Sequence, residues 1–317
     1  MKLPKFEYKK AEDLKEALAF YSYYNGRSLF LAGGTDIIPR LKLRLQRPVA
    51  LIDLKGVKDL QGIKRKDGYV RIGSLVTLYE LKQFKLIKKC FPALWEALDG
   101  TSCETLQMRG TLGGNLIQDT RCLFYNQSQL WRDAGDYCLK MGGKKCNVVG
   151  GQTCFSNYCS DTAPALLSLQ AQVGLIGPQG ERRIPLYELY TGNGEKPFNL
   201  LTGEIMIELL IPEGITKGAY EKLRVRRSID YPLLGAAFSV VQEKGRLSIG
   251  AVGPKPFFFN MDELSERAIA QTAQIASDNA RPVMNAVLSP LYRKRMVKVI
   301  ALKLMRKWYT GGRDGGG

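Results

Sequence analysis

Histidine is absent from the whole 317-residue sequence. That removes Ser-His-Asp and Cys-His nucleophilic catalysis and every histidine-containing metal site. It also removes the side chain that most often moves protons near neutral pH. Such a chain suits holding a cofactor or passing electrons better than breaking bonds by proton transfer, although Glu, Asp, Lys and Tyr remain for that work. Long apolar runs are missing too. The longest, about Leu233 to Val241, is too short to span a bilayer. Met1 to Tyr8 carries basic residues with no apolar stretch behind them, so no secretory signal is expected and a cytoplasmic location is.

What is present starts with charge. The formal net charge is +17, which favours anionic partners. The lysines and arginines are spread along the chain, and this weakens a nucleic-acid reading, which would gather them locally. With 45% hydrophobic residues the chain can bury a sizeable core.

The opening reads β-α-β-α-β, an α/β unit. A short strand leads to a helix over Ala11 to Tyr21, a buried strand at Ser28 to Ala32, a helix from Ile37 to about Leu45, and a strand at Val49 to Leu54. Tyr69 to Gly73 is a further strand, Leu75 to Ile87 is largely helical, and Phe91 to Leu98 is a helix opened by Pro92. Ala171 to Ile176 and Glu204 to Ile211 read as strands, with a surface turn at Gly177 to Gly180. A domain boundary is expected at Gly214 to Gly218. Beyond it, Ala219–Val225, Leu234–Gln242 and Arg246–Val252 read as antiparallel strands, followed by helices at Glu263–Ser277 and Pro290–Trp308 and a disordered tail at Gly311–Gly317.

Two glycine loops carry the first chemical signal. Ala32-Gly33-Gly34-Thr35-Asp36 joins a strand to a helix. Its glycines let backbone approach a phosphate, and Thr35 or Asp36 is placed to cap the helix, whose N-terminal amides favour an anion. Thr111-Leu112-Gly113-Gly114-Asn115 offers a second such loop. Either alone is more simply a turn; the pair, each with a threonine, suits the two phosphates of a dinucleotide. Neither fits G-x-G-x-x-G or G-x-x-x-x-G-K-[ST], so a Rossmann or P-loop site is not expected.

Seven cysteines are present, five of them between positions 122 and 159. Cys122, Cys138, Cys146 and Cys154 are separated by fifteen, seven and seven residues. This is not zinc-ribbon spacing. The glycine-rich stretch between them can build little core by itself, and ligation by four thiolates would order it. Four cysteines without histidine suit zinc or an iron–sulfur cluster. The bland alternative is a set of buried free thiols, but these loops have few large apolar neighbours to bury them. Cys90 and Cys103 read as core or interface residues.

Four segments together resemble, in order, the FAD-binding subunit of the xanthine dehydrogenase / carbon monoxide dehydrogenase (molybdenum hydroxylase) family. They are Leu31 to Asp36, Arg109 to Asn115, Ser160 to Leu167, and Tyr220 to Pro232. The resemblance covers nearly the whole chain, down to Ile249–Lys255 and Tyr292-Arg293. In most of that family the Gly-Gly-Asn segment runs almost directly into the Asp-x-x-Pro-Ala-Leu-Leu segment. Here roughly 120–157 intervene, and this insertion resembles the one in beta subunits of 4-hydroxybenzoyl-CoA reductases, where four cysteines hold a 4Fe–4S cluster.

The resemblance implies an α+β / α/β fold. A PCMH-type FAD-binding domain would cover 1–214, with subdomains of about 1–55 and 56–214 and the cysteine-rich insert at about 120–157. A CO-dehydrogenase-flavoprotein-like α+β domain would follow at 218–317. It implies FAD contacts from Leu29, Phe30, Leu31, Ala32, Gly33, Gly34, Thr35 and Asp36 and from Thr111, Gly113, Gly114 and Asn115, which would wrap the pyrophosphate. Thr101 and Gln118 fall at further flavin-contact positions. Asp161 would bind the ribose of the adenosine half, Met206 would contact the adenine side, and Lys222 would sit near the flavin end. Arg226, Asp230 and Tyr231 lie at or near the flavin face. Cys122, Cys138, Cys146 and Cys154 match the cluster ligands. Cys159 leaves the fourth ligand open between itself and Cys154, with the spacing favouring Cys154.

No catalytic residue is expected on this chain. The resemblance implies substrate chemistry at a molybdenum cofactor on a large partner subunit, with 2Fe–2S clusters on a small one, in a dimer of heterotrimers. Electrons from ferredoxin or another carrier would enter at 4Fe–4S, pass through FAD to 2Fe–2S and molybdenum, and remove a phenolic hydroxyl, a step of aromatic degradation. The alternative is an oxidative hydroxylase subunit passing electrons to NAD or another acceptor. Another is a flavoprotein with no iron. A remote rival is a basic zinc-binding nucleic-acid protein. Its best feature is the last helix, with Arg293, Lys294, Arg295 and Lys298 on a basic side. That helix reads more simply as an amphipathic one packed through Leu291, Met296, Val299, Ile300 and Leu304, so neither nucleic acid nor membrane is an expected partner.

Overall fold

The computed structural model describes residues 2–241 and 243–309; the tail expected at 311–317 lies outside the described residues. Three sheets organise the chain. The first is parallel, in the order β1-β3-β2, from β1 (Glu7–Lys10), β2 (Ser28–Leu31) and β3 (Ala50–Asp53). Its crossovers are a helix at Leu14–Tyr23, started by the Asp13 carboxylate accepting from the Glu16 amide, and a short helix at Ile37–Lys42. All four residues of β3 are buried, as expected of a central parallel strand.

The second sheet is antiparallel, in the order β4-β5-β8-β6-β7. It joins β4 (Ile63–Lys66), β5 (Tyr69–Gly73), β6 (Gln172–Gly177), β7 (Gly180–Pro185) and β8 (Ile205–Pro212). Between β5 and β6 the chain leaves the sheet for a helical layer and then for the cysteine-rich insert. The helix expected over Leu75–Ile87 is two: Leu78–Gln83, set by a Thr77/Glu80 capping box, and Lys85–Cys90. Phe84 breaks them apart by turning extended, at ψ 110°. The helix at Pro92–Gly100 packs beside them on the main core, with Leu94, Ala97 and Leu98 fully buried.

The third sheet, β12-β11-β10-β9, is antiparallel. It comprises β9 (Lys217–Leu223), β10 (Leu234–Val241), β11 (Lys244–Gly250) and β12 (Phe257–Met261). The alternation along β10 builds two interfaces at once. Leu234, Ala236 and Phe238 join the core under the helices Glu266–Asn279 and Pro290–Arg306, whereas Ala237 joins the core of the second unit. Ser239 on that same face pairs its hydroxyl with Ser168 at 2.7 Å.

The last helix corrects its sequence reading. Leu291 and Val299 are 60% and 53% exposed, while Val297, Ile300, Ala301, Leu304 and Met305 face the core. Arg293 is not on a solvated side at all. It is fully buried, and its guanidinium donates to the carbonyls of Leu233 (3.0 Å), Ala251 (2.5 Å) and Val283 (3.4 Å). It ties the helix to the ends of β10 and β11. Among the described residues no helix is long and apolar enough to cross a membrane.

Candidate functional site

The two glycine loops are pressed against each other. A Cβ on Gly33 would lie 1.8 Å from the Arg109 carbonyl oxygen, so only glycine permits the contact. Gly34 has φ +80°. A Cβ on Gly113 would lie 2.8 Å from that of Ser74, whose carbonyl accepts the Gly113 amide at 2.9 Å. Thr111 starts the short helix Leu112–Leu116 by accepting from the Gly114 amide. Asn115 Oδ1 accepts from the hydroxyls of Ser160 and Thr162, both at 2.6 Å, and so ties the second loop to the Asp161 segment.

The expected cap at the first loop is not made. Asp36 occupies the N-cap position but its side chain caps no backbone amide of the helix. It instead pairs with Arg121 and, at 3.5 Å, with Arg40. Charged partners outbid a backbone amide for the same carboxylate.

Around these loops runs a two-lobed groove. The wide lobe, about 830 Å³, is lined by Gly33, Gly34, Lys55, Phe84, Met108 and Arg109 among others. The narrow lobe, about 150 Å³, is lined by Asp36, Thr101, Gly114, Asn115, Gln118 and Asp161, together with Ser102, Gln107, Cys159, Ile229, Asp230 and Tyr231. Thr35, Leu106 and Thr111 border both lobes, so one elongated ligand could lie across them. Several sequence-predicted positions are elsewhere. Leu29, Phe30, Leu31 and Ala32 lie below the loop: Leu31 packs with Leu41 and Leu51, and Phe30 stacks on Tyr21 at 5.3 Å. Gly113 is buried against Ser74, and Met206 is a core residue opposite Leu175 on β6. None of these six is in the lining.

Asp161 and Lys222 were expected at opposite ends of a dinucleotide. The structure joins them in one buried ion pair of 3.0 Å, because β9 passes beside the start of the helix Thr162–Ser168. Asp161 lines the narrow lobe, whereas Lys222 lines neither lobe. Tyr220 donates to the other Asp161 oxygen at 2.8 Å, and Lys222 also reaches the Gly100 carbonyl at 3.1 Å. Burial lifts the Asp161 carboxyl above its ordinary range despite the Lys222 ammonium beside it.

Sequence reasoning missed Ser102, Gln107 and Ile229 in the lining. Ser102 and Ile229 hold φ +56° and +49°, and for a β-branched residue that is strain of the kind stored at binding sites. Gln107 donates to the carbonyls of Leu98 and Thr101, but its buried Oε1 has no partner, leaving an acceptor for a ligand N–H. Cys159 belongs to this lobe, and burial pushes its thiol up to about 12.

Cys122, Cys138, Cys146 and Cys154 line a separate small cavity with Phe124, Tyr125, Leu139, Lys140 and Val148. All four are buried, so the insert does supply apolar cover. Burial raises the Cys122 and Cys138 thiols. The loops are set by local contacts. The Cys146 amide bonds the Gly151 carbonyl at 2.8 Å, the Asn126 side chain accepts from the Cys122 amide, and a Cβ on Gly143 would lie 1.6 Å from the Tyr137 carbonyl oxygen. Among the described residues, no three His, Cys, Asp or Glu close tightly enough for one metal ion. Many ties fasten the insert, Arg47 to Gln129 at 2.6 Å and the Gly194 amide to the Cys154 carbonyl at 3.0 Å among them. Arg132 donates to the Leu43 and Arg44 carbonyls at 3.1 and 3.2 Å, Asn157 bonds Asn285 at 2.8 Å, and Lys140 reaches Asp119 and the Thr120 hydroxyl, both at 2.5 Å.

Comparison with known proteins agrees with the groove. Residues 4–214 match the family described as the FAD binding domain in molybdopterin dehydrogenase. The aldehyde oxidoreductase FAD-binding subunit PaoB of Escherichia coli K12 is 31% identical, over 84% of this chain and 88% of that protein. The nicotinate dehydrogenase FAD-subunit of Eubacterium barkeri is 25% identical over 94% of both. In fold, the chain is similar to one in reconstituted CO dehydrogenase from Oligotropha carboxidovorans, with TM-score 0.78 and 22% identity, covering 96% of this chain and 98% of that one.

Proposed function

Because this chain belongs to the FAD-binding subunits of molybdopterin dehydrogenases and is therefore part of an oxidoreductase, we propose that it holds two redox groups. FAD lies along the two-lobed groove, and a 4Fe–4S cluster is held by Cys122, Cys138, Cys146 and Cys154. The observation that carries the second assignment is the convergence of four cysteines, spread over an otherwise loop-like insert, on one cavity. Thiolate is the only strong ligand type the cavity offers, which suits iron–sulfur chemistry.

When bound, flavin exchanges electrons singly or in pairs and a 4Fe–4S cluster one at a time, so a chain holding both matches one-electron to two-electron carriers. The residues of this chain hold and orient. The Gly33–Asp36 and Thr111–Asn115 loops offer backbone amides and hydroxyls to the pyrophosphate. Gln107 offers its spare acceptor, and the Asp161–Lys222 pair fixes a polar floor in the narrow lobe. Cysteine ligation releases the thiol protons and orders residues 120–157.

The direction of flux is proposed as reductive, toward removal of a phenolic hydroxyl on a molybdopterin-bearing large subunit. A 2Fe–2S small subunit would complete a dimer of heterotrimers, and ferredoxin or another low-potential carrier would serve as donor in the cytoplasm. Resemblance of the insert to that of 4-hydroxybenzoyl-CoA reductases supports this. The oxidative alternative draws its support from relatives named for oxidising aldehyde and nicotinate. The test is anaerobic purification with flavin, iron and sulfide counted per chain. One FAD with about four irons and four sulfides supports the two-group reading; flavin without iron sinks it. Reduction of the whole complex by reduced ferredoxin but not by NADH would then favour the reductive direction.

A further inference from the structure

A line of alternating charges joins the two sites. Lys140 lines the cysteine cavity, and its side chain is only 6% exposed. Its ammonium meets Asp119 at 2.5 Å and lies 4.8 Å from the centre of the Tyr125 ring. Asp119 meets Arg40 at 2.8 Å, Arg40 meets Asp36, and Asp36 meets Arg121. Arg121 lies 4.6 Å over the ring of Tyr231, which lines the narrow lobe of the groove. Three cations and two carboxylates leave one positive charge in excess along this line. The hydrogen-bonding demands of the loops do not require it: Thr120 and Asp119 could be served by a neutral donor at far smaller desolvation cost.

We propose that Lys140 is a positioning residue for electron transfer, a buried ammonium anchored by Asp119 that raises the reduction potential of the group held by the four cysteines. This rests on the reading that they hold a 4Fe–4S cluster. Reducing a cluster adds one negative charge, and a fixed cation in a poorly screened interior favours the more negative state. Asp119 opposes Lys140 from its other side, so the two act with opposite sign. The placement brings the ammonium close enough to act, since Lys140 lines the same cavity as the four cysteines.

The experiment uses the intact, anaerobically purified protein. Iron, sulfide and flavin are counted first, and the cluster is then titrated redox-chemically by electron paramagnetic resonance. At the wild-type midpoint, Lys140→Met is expected to lose the reduced form about tenfold relative to the oxidised, about 59 mV for one electron. Lys140→Arg should restore most of it. Asp119→Asn should shift the midpoint the other way. A Lys140→Met protein with full iron and an unmoved midpoint overturns the proposal. So do shifts of the same sign in Lys140→Met and Asp119→Asn, which would report loosened packing. If Lys140→Met does not keep its iron, the sign of Asp119→Asn alone decides. A wild-type chain with flavin and no iron fails at the counting step, and there the two-group reading itself falls.

Discussion

In the flavin groove, backbone meets backbone. Gly33 lies against the Arg109 carbonyl and Gly113 against Ser74; the first loop follows edge strand β2, and the second opens the short helix Leu112–Leu116. In the cysteine cavity, the four thiols stand fifteen, seven and seven residues apart along a loop-rich insert. Its only regular structure is one turn of helix at Gln129–Asp133 and one tighter turn at Leu139–Met141. The first site is shaped by the core before any ligand arrives. On the proposed reading, the second has thiols where a core would be, and its order would depend on what those thiols hold. That reading gives one chain a rigid site and a ligand-ordered one, joined by Arg40, Asp36 and Asp119.

The largest effect that would break this contrast is a cysteine substitution. Cys146→Ser is expected to remove essentially all the iron while leaving flavin bound, read by elemental analysis and the flavin absorption bands. Loss of both together would mean that the groove leans on the insert. Gly33→Ala is the mirror experiment. Its methyl group must push the Arg109 backbone away, at a cost of about 1–3 kcal/mol. Flavin should be lost on gel filtration while iron stays, with the stability change read from denaturant unfolding.

A smaller effect is expected at Arg132. Replacing it by Met strips partners from the Leu43 and Arg44 carbonyls and loosens the insert by about 1–2 kcal/mol. Cleavage within 120–157 by a dilute protease should then speed up about tenfold, since local opening governs the rate. Unchanged cleavage would show that the other ties suffice. The smallest effect separates two thiols outside the cysteine cavity. Hydrogen bonding from the Thr105 hydroxyl lowers the Cys103 thiol, and the residue is half-buried, whereas burial holds Cys159 up at about 12. Alkylation at pH 8 followed by peptide mapping should label Cys103 first and leave Cys159 untouched. Early labelling of Cys159 would mean that the narrow lobe opens to solvent.

The same contrast governs what the sequence revealed. The mixed α/β and α+β fold was legible because its central strands are apolar and its loops are marked by glycine. Strands β4 and β7 were not, because Ile63-Lys64-Arg65-Lys66 and Gly180-Glu181-Arg182-Arg183 are charged edge segments held mainly by backbone pairing. The glycine loops were legible as loops, but not the reason for Gly33, which is contact with a residue seventy-six positions away in the sequence, at Arg109. Motif matching placed Met206 and residues 29–32 at the cofactor; in the fold Met206 and Leu31 are buried, Leu29, Phe30 and Ala32 are partly buried, and none of them lines the groove. Arg293 could not be told from Lys294 and Arg295 until β10 and β11 presented their carbonyls to it. The Asp161–Lys222 pair was hidden for the same reason: its partners lie 61 residues apart and meet only through the fold.

The most direct test of the account is hydrogen exchange on the purified protein before and after its iron is removed by anaerobic chelation, with flavin kept bound. The account expects protection to fall across residues 120–157 and to hold steady in β2, β5, β8 and the 109–116 loop. Equal protection of the insert with and without iron, or a loss spreading into the groove, would contradict it.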